Sequence, residues 1–571
     1  MTNRPGVEER ADMVTRLRDG HDRAPGVRAP AGAGTDATNV RGAGRVWWRL
    51  YRHHLRLLRN TAIAWLAVLA GIGPGFIATI EDTYGPDELA RIGPTLEGVP
   101  AFEALFGRTV AMDTLEGFAL WRWGGFAVLL AAIWGMLAAN RLLRGAEEAG
   151  HLEPLRAGAV TPRRLLAAAV AAMLSVYALL AAAVGVGHSA VGMDAATAWS
   201  LGGALALLAA SFAALGALAA QLVATRRRAM GLVALVLGVS VAVRVLAAAT
   251  ATPDWVWWAT PFGWASHLHE VDEARTAVFV SFAVLVVTLL AAAFALADRD
   301  LHAARFGGDH ATARRLRPVG GQLGLASRLA TGSMLSWGSG IAAGGLVFGL
   351  LADDFSAALA DLGTPLQVFE RIGFVGMDTP EGVIGLTLGF LVLVLTLFAA
   401  AQAAAVRDEE AAWRIEHLLV RPVGRVHWLL TRTVVAAVAV LVLAIVAAVA
   451  AWLGTVVTAA PIGLADAVLA GVNLVPVAWL FLGVGVALFG LAPRATAPAV
   501  YGLVLVAYLL DLVGALLDLP AWALDASPFR HLAAAPAEDI ALVPAAVMVA
   551  GGVAGVLVGL AAFRRRDLRE A

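Results

Sequence analysis

Apolar residues in this chain arrive in repeated blocks about twenty residues long, and that spacing leaves few folds open. An α-helix rising about 1.5 Å per residue needs roughly twenty residues to cross about 30 Å of hydrocarbon. Hydrophobic residues make up 59% of the 571 positions and charged ones 15%, against roughly a quarter charged in an ordinary soluble domain. So much apolar surface requires lipid to solvate it. The expected fold class is therefore an all-α integral membrane protein of about twelve transmembrane helices.

The blocks predict spans at 61–80, 121–140, 165–187, 198–224, 229–250, 276–297, 334–352, 383–406, 429–459, 465–491, 497–517 and 541–563. Loops between them alternate in charge. One set carries Arg141, Arg144, Arg163, Arg226, Arg227, Arg228, Arg407, Arg425, Arg564 and Arg565 among others, while the other holds Glu81, Asp82, Asp353, Asp354, Glu538 and Asp539. By the positive-inside rule both termini are expected in the cytoplasm, which requires an even number of spans. Residues 1–42 have no apolar run and read as a disordered cytoplasmic tail. Trp47, Trp48, Tyr51, Leu55 and Leu58 recur at helical spacing among arginines, which favours a basic amphipathic helix at 45–59 lying in the membrane interface ahead of the first span over a simple membrane-proximal extension of that span.

The chain contains an internal repeat. Met112, Asp113, Thr114, Glu116 and Gly117 return as Met377, Asp378, Thr379, Glu381 and Gly382 at an offset of 265. At 263, Arg144, Glu147, Glu153 and Leu155 return as Arg407, Glu410, Glu416 and Leu418, and at 267, Trp255, Pro261 and Phe262 return as Trp522, Pro528 and Phe529. Two homologous six-span halves follow, both starting on the same side and so related by an axis along the membrane normal, the parallel kind of repeat. The expected division is 43–298 for the first half with its lead-in helix, 299–332 for a cytoplasmic linker and second lead-in helix, and 333–571 for the second half.

Composition removes several chemistries. All 43 basic residues are arginine, so the chain lacks the lysine with which a P-loop reaches nucleotide phosphates. Cysteine is absent, which removes disulfides and thiolate sites. Net charge is zero, so no bulk electrostatic case exists for a nucleic-acid partner. His267, His269 and Glu270 lack the spacing of a zinc-binding helix, and no metal site is expected.

The loop after the second span of each half reads RGAEEAGHLEPL and RDEEAAWRIEHLL: a short charged helix, then a return to the membrane. Arg144 and Glu147, like Arg407 and Glu410, stand at i,i+3, where helical side chains meet. A solvated loop helix would account for one such copy, whereas acidic and apolar positions kept in both halves favour a docking surface. With these loops, the basic lead-in helix and the two W-x5-PF elements, the chain resembles the fused, double-length permease subunits of type-2 ABC exporters, the polyketide-antibiotic and multidrug exporter family, from about residue 45 onward.

The resemblance implies an antibiotic or multidrug exporter permease in the bacterial cell membrane, with two copies of a separate ABC ATPase subunit that supply ATP and Mg, and membrane lipid and a small-molecule export substrate as further partners. It implies no cofactor on this chain. It assigns ATPase coupling to Arg144, Glu147, Glu153, Leu155, Arg407, Glu410, Glu416 and Leu418. Gly150 and Pro154 stand where the second copy has Trp413 and His417, so the two contacts need not be equivalent. Arg244 and Asp511, opposite charges at equivalent positions in the fifth span of each half, could pair across the pseudo-axis or reach separately to headgroups. With Pro261, Phe262, Pro528 and Phe529 they are candidates for an outer gate, though the tryptophans beside them also suit interfacial anchoring. Asn473, Gln221 and Gln402 suit interhelical hydrogen bonds.

An ion-coupled secondary carrier of the 6+6 type shares the parallel repeat and span count, but its loop signature is missing here and the spans are nearly empty of the carboxylates a proton relay would need. A membrane-embedded enzyme finds no clustered catalytic set. The missing lysine generates a direct test: the purified chain alone should show no ATP hydrolysis above a mock preparation in a phosphate-release assay, and robust turnover by the lone subunit would refute the P-loop argument.

Overall fold

The computed structural model describes residues 37–75, 77, 86–152, 160–249, 253–267, 272–298, 321–362, 376, 378–411, 413–415, 424–458, 462–514 and 520–566. Twelve helices among them are long and apolar enough to cross a membrane: Gly44–Gly75, Leu115–Glu148, Pro162–Ala190, Ala195–Leu222, Arg226–Ala248, Arg275–Ala295, Gly321–Ala357, Pro380–Ala411, Arg425–Val457, Leu464–Leu491, Pro493–Asp511 and Leu542–Arg565. Each overlaps one predicted span. The chain is an all-helical, multi-pass membrane protein.

Two of the expected boundaries differ. The separate interfacial helix at 45–59 is absent as an element of its own: Ala37–Leu66 is a single α-helix that continues through a π-helical turn at Ala67–Gly71. The second lead-in helix merges in the same way into Gly321–Leu362, 42 residues without interruption. The physical reason is the lack of a breaker. No proline stands between Arg45 and Gly73, or between Gly321 and Gly363, and at the junction Thr61 turns its hydroxyl back onto the Leu58 carbonyl at 2.8 Å. Of the expected disordered tail at 1–42, residues 37–42 belong to the first helix and 1–36 lie outside the described residues, as do 299–320 of the expected linker and lead-in segment at 299–332.

Contacts divide the chain after Leu50 into a short N-terminal unit and a large unit from Tyr51. Among the described residues of the large unit the two largest apolar clusters run in sequence from Leu58 to Ala297 and from Ile341 to Met548, and a smaller one joins Ala104 and Val245 of the first half to Leu351 of the second. The fourth, eighth and tenth spans are the innermost, with 78%, 67% and 61% of their most apolar stretch buried, against 17% for the first and eleventh.

Lipid gives helices no hydrophobic reason to associate, so close packing must hold them together, and small residues make that packing possible. A Cβ added to Gly135 would stand 2.1 Å from the Ala209 carbonyl oxygen, bringing the second span against the fourth. In the second half a Cβ on Gly483 would stand 2.1 Å from the Gly552 oxygen, and one on Gly559 2.3 Å from the Val486 oxygen, so the tenth and twelfth spans touch backbone to backbone.

The structure gives the most exact of the sequence repeats a physical role. Thr114 accepts from the Gly117 amide at 3.0 Å and donates to the Ala111 carbonyl at 2.8 Å. Thr379 accepts from Gly382 at 3.2 Å and donates to Gly376 at 2.7 Å. The conserved spacing is thus the N-cap of the second span in each half. The residue three before each threonine is left-handed, Ala111 at φ 54° and Gly376 at φ 70°. Thr114→Ala and Thr379→Ala should each destabilise the protein by about 1 kcal/mol, read as a lower unfolding temperature in detergent, whereas substitution of the exposed Asp113 should leave it unchanged.

Candidate functional site

In the first half the element after the second span is the five-residue helix Arg144–Glu148, entered through a sharp bend at Leu143. Its two ends are keyed into the helices beside it. Arg144, fully buried, pairs with Glu147 at 2.8 Å. Its Nε donates to the Val223 carbonyl at 2.7 Å, and its Nη2 reaches the same oxygen. That oxygen lies at the C-terminal end of the fourth span, where carbonyls lack intrahelical donors and cations are favoured. Glu148 accepts from the Arg226 amide at 2.5 Å, at the N-terminus of the fifth span, where the helix dipole favours an anion. One short helix therefore satisfies the end of one span and the start of the next. A cavity of about 60 Å³ lies against it, lined among others by His54, Glu147, Leu165 and Gln221.

The second half uses different partners. Arg407 forms no ion pair among the described residues, so the i,i+3 pair seen in the first half is not repeated. Glu410 instead meets Arg566 at 3.0 Å, from the end of the twelfth span, and Glu409 meets Arg432 of the ninth span at 2.5 Å. Arg566 also lies over the rings of Phe489 and Phe563, 5.1 and 5.3 Å from their centroids, and Arg425 donates to its carbonyl at 2.8 Å. Glu153, Leu155, Glu416 and Leu418 lie outside the described residues. Of the remaining coupling candidates, Arg144 and Glu147 face inward and hold the element in place. Exposed positions among the described residues include Arg141, Glu148, His151, Asp408, Trp413 and Arg414.

At the opposite end of the spans the two proline-phenylalanine elements adopt related roles. Thr260 caps the short helix Pro261–Ser266, and Phe262 is buried against Phe212 of the fourth span, with centroids 6.2 Å apart. Phe529, beside Pro528, is buried against Phe481 of the tenth span at 5.9 Å and Tyr508 at 5.3 Å. Each half thus places a phenylalanine from the loop before its last span against a phenylalanine of its own central span. Trp255 and Trp522, 69% and 78% exposed, point away, as anchoring residues would.

Arg244 and Asp511 do not form an ion pair with each other. Arg244 is buried with its guanidinium 5.5 Å from the Phe262 centroid, beside a cavity of about 30 Å³ that Ser200 and Ser266 also line. Asp511 is half-buried, and the charges acting on it are those of Arg530 and His531. The neighbours recorded for each charge, Phe262 for Arg244 and Arg530 and His531 for Asp511, belong to its own half. Gln402 bonds Ser333 across two spans at 3.1 Å and Asn473 bonds the Ala533 carbonyl at 3.0 Å. Gln221 turns to Ala217 of its own helix at 3.4 Å. Among the described residues no set of three acidic, histidine or cysteine side chains could hold a metal ion.

Sequence reasoning missed Phe212, Phe481, Val223, Arg432 and Arg566. None lies in the repeated motifs, and Val223 acts through its backbone, which no side-chain pattern reports. The buried pair carries a clear energetic expectation. Arg144→Ala would strand Glu147 in the interior and should cost about 3 to 5 kcal/mol, whereas Arg163→Ala, which opens a pair whose side chains are 58% and 57% exposed, should cost no more than about 1 kcal/mol. Thermal unfolding of the two variants in detergent should separate them clearly.

Comparison with known proteins agrees with this architecture. Residues 53–296 and 319–564 match the family model described as the C-terminal domain of the multidrug efflux system permease Rv1217c. The chain is also similar to the multidrug efflux system permease protein Rv1217c of Mycobacterium tuberculosis (strain ATCC 25618 / H37Rv), being 29% identical over 528 residues that cover 91% of this chain and 95% of that protein. The matched segments contain both short charged elements and both proline-phenylalanine elements. With both six-span segments matched, the chain belongs to the Rv1217c family of multidrug efflux permeases.

Proposed function

We propose that this chain is the membrane-spanning subunit of an ATP-driven exporter that moves hydrophobic or amphipathic compounds out of the cell. In this reading two copies of a separate ABC ATPase, which bring the ATP and Mg, dock on the arginine-rich side at the Arg144–Glu148 helix and at 407–415. That side is the cytoplasmic face of a bacterial cell membrane, and both termini lie on it. The name of the matched relative supports drug export, and the missing lysine supports a separate ATPase.

The observation that carries the proposal is the keyed helix. Arg144 holds the end of the fourth span and Glu148 the start of the fifth, so a force on this element reaches both spans without loss in a flexible loop. A loop that only connected two spans would need no buried ion pair. Phe262 and Phe529 then serve as outer plugs, each seated on the central span of its half, which an inward force on the keyed helix would shift. Substrate specificity would lie in the pathway between the halves.

The test is reconstitution. Co-expressed with an ABC ATPase subunit encoded beside it, the permease should copurify with that subunit and stimulate its ATP hydrolysis, and cells should extrude a lipophilic dye. Replacing the catalytic glutamate of the ATPase should abolish extrusion. Extrusion that persists without the ATPase and collapses with the proton gradient would instead identify an ion-coupled carrier.

A further inference from the structure

The two docking elements end in the same backbone geometry with very different side chains. Gly150 and Trp413 are equivalent at the offset of 263, and each amide donates to the carbonyl of the glutamate three residues earlier at 3.0 Å. Both residues are left-handed, at φ 71° and φ 58°. For glycine this is free, but for a residue with a bulky side chain the same conformation is a genuine outlier. Such strain persists where the surroundings over-determine it, and it concentrates at functional contacts.

Among the described residues the segment is anchored beside the indole rather than by it. Ile415, two residues on, is 1% exposed and packs among Trp428, Phe489 and Phe563, which already anchors the segment. Trp413 is 48% exposed. Beside it, Glu410 spends one carboxylate oxygen on Arg566, while its other oxygen is buried with no hydrogen-bond donor among the described residues. A half-exposed aromatic on one short element held in place by ion pairs fits a partner that offers an apolar pocket. With Glu409 and Glu410 paired to arginines, the exposed charges beside the indole are Asp408 and Arg414, one of each sign, as on the polar rim of a protein interface.

We propose that Trp413 is the aromatic anchor by which the second half holds its ATPase subunit, and that the first half, with Gly150 in its place, has no such anchor. The inference rests on the ATPase partnership proposed above. It makes the two docking sites unequal: one ATPase copy is gripped through the indole, and the other rests on the helix held by Arg144. Aromatic residues at the centre of interfaces commonly carry a large share of binding.

The experiment uses the full-length permease co-expressed with its ATPase. Trp413→Gly relieves the left-handed strain, so its unfolding temperature should equal or exceed that of the natural protein, while its affinity for the ATPase falls by about tenfold or more. Trp413→Phe should keep most of the affinity. Because the chain has no cysteine, Trp413→Cys provides a single thiol for a photoactivatable label, which should crosslink to the ATPase subunit. Unchanged ATPase affinity in Trp413→Gly, or crosslinks to lipid alone, would overturn the inference while leaving the ATPase partnership standing. Failure of the natural permease to bind any ATPase would remove both.

Discussion

Every helix that crosses hydrocarbon must end somewhere, and its last carbonyls and first amides have to find partners there. In this protein much of the architecture follows from how those ends are satisfied. Arg144 and Glu148 serve the end of the fourth span and the start of the fifth from a single short helix. Thr114, Thr161, Asp194 and Thr379 cap the starts of the second, third, fourth and eighth spans. The loops are consequently parts of a capping system, and displacing one disturbs the spans it closes.

The two halves have kept this system unequally. The caps of the second and eighth spans are alike down to the left-handed residue that precedes them, whereas the elements on the arginine-rich side have exchanged partners. In the first half a buried arginine serves a carbonyl within the bundle. In the second, the equivalent Arg407 is released from that role, and Arg566 from the last span takes Glu410. A single chain carrying both halves permits this, because each copy can vary without changing the other, as it could not in a symmetric dimer of identical subunits. The proline-phenylalanine elements diverge less: both buried phenylalanines remain, and the charges on the neighbouring spans, Arg244 and Asp511, differ in sign and in burial.

Much of this could be read in advance. Span number, the alternation of charged loops and the doubled MDTxEG string are local or periodic properties, and each is carried by many residues or by an exact match. The site was legible in part. Glu147 and Glu410 were recognisable as members of one repeated motif, but whether each faces a partner or the interior depends on what packs over it. Arg566 stood out only as one of a run of terminal arginines, which the positive-inside rule explains without any further role.

The amino-acid order by itself determined that the chain enters a membrane, crosses it about twelve times and does so in two related halves, because apolar length, loop charge and repetition need no knowledge of neighbours. It also excluded a P-loop, since a residue type that is absent cannot act. The tertiary structure alone decided which arginine meets which glutamate, that Arg144 holds Val223, and that Arg244 and Asp511 do not pair with each other. Those outcomes turn on distances of a few ångströms between residues far apart in sequence, and in a low-dielectric interior such distances decide whether a charge is tolerated.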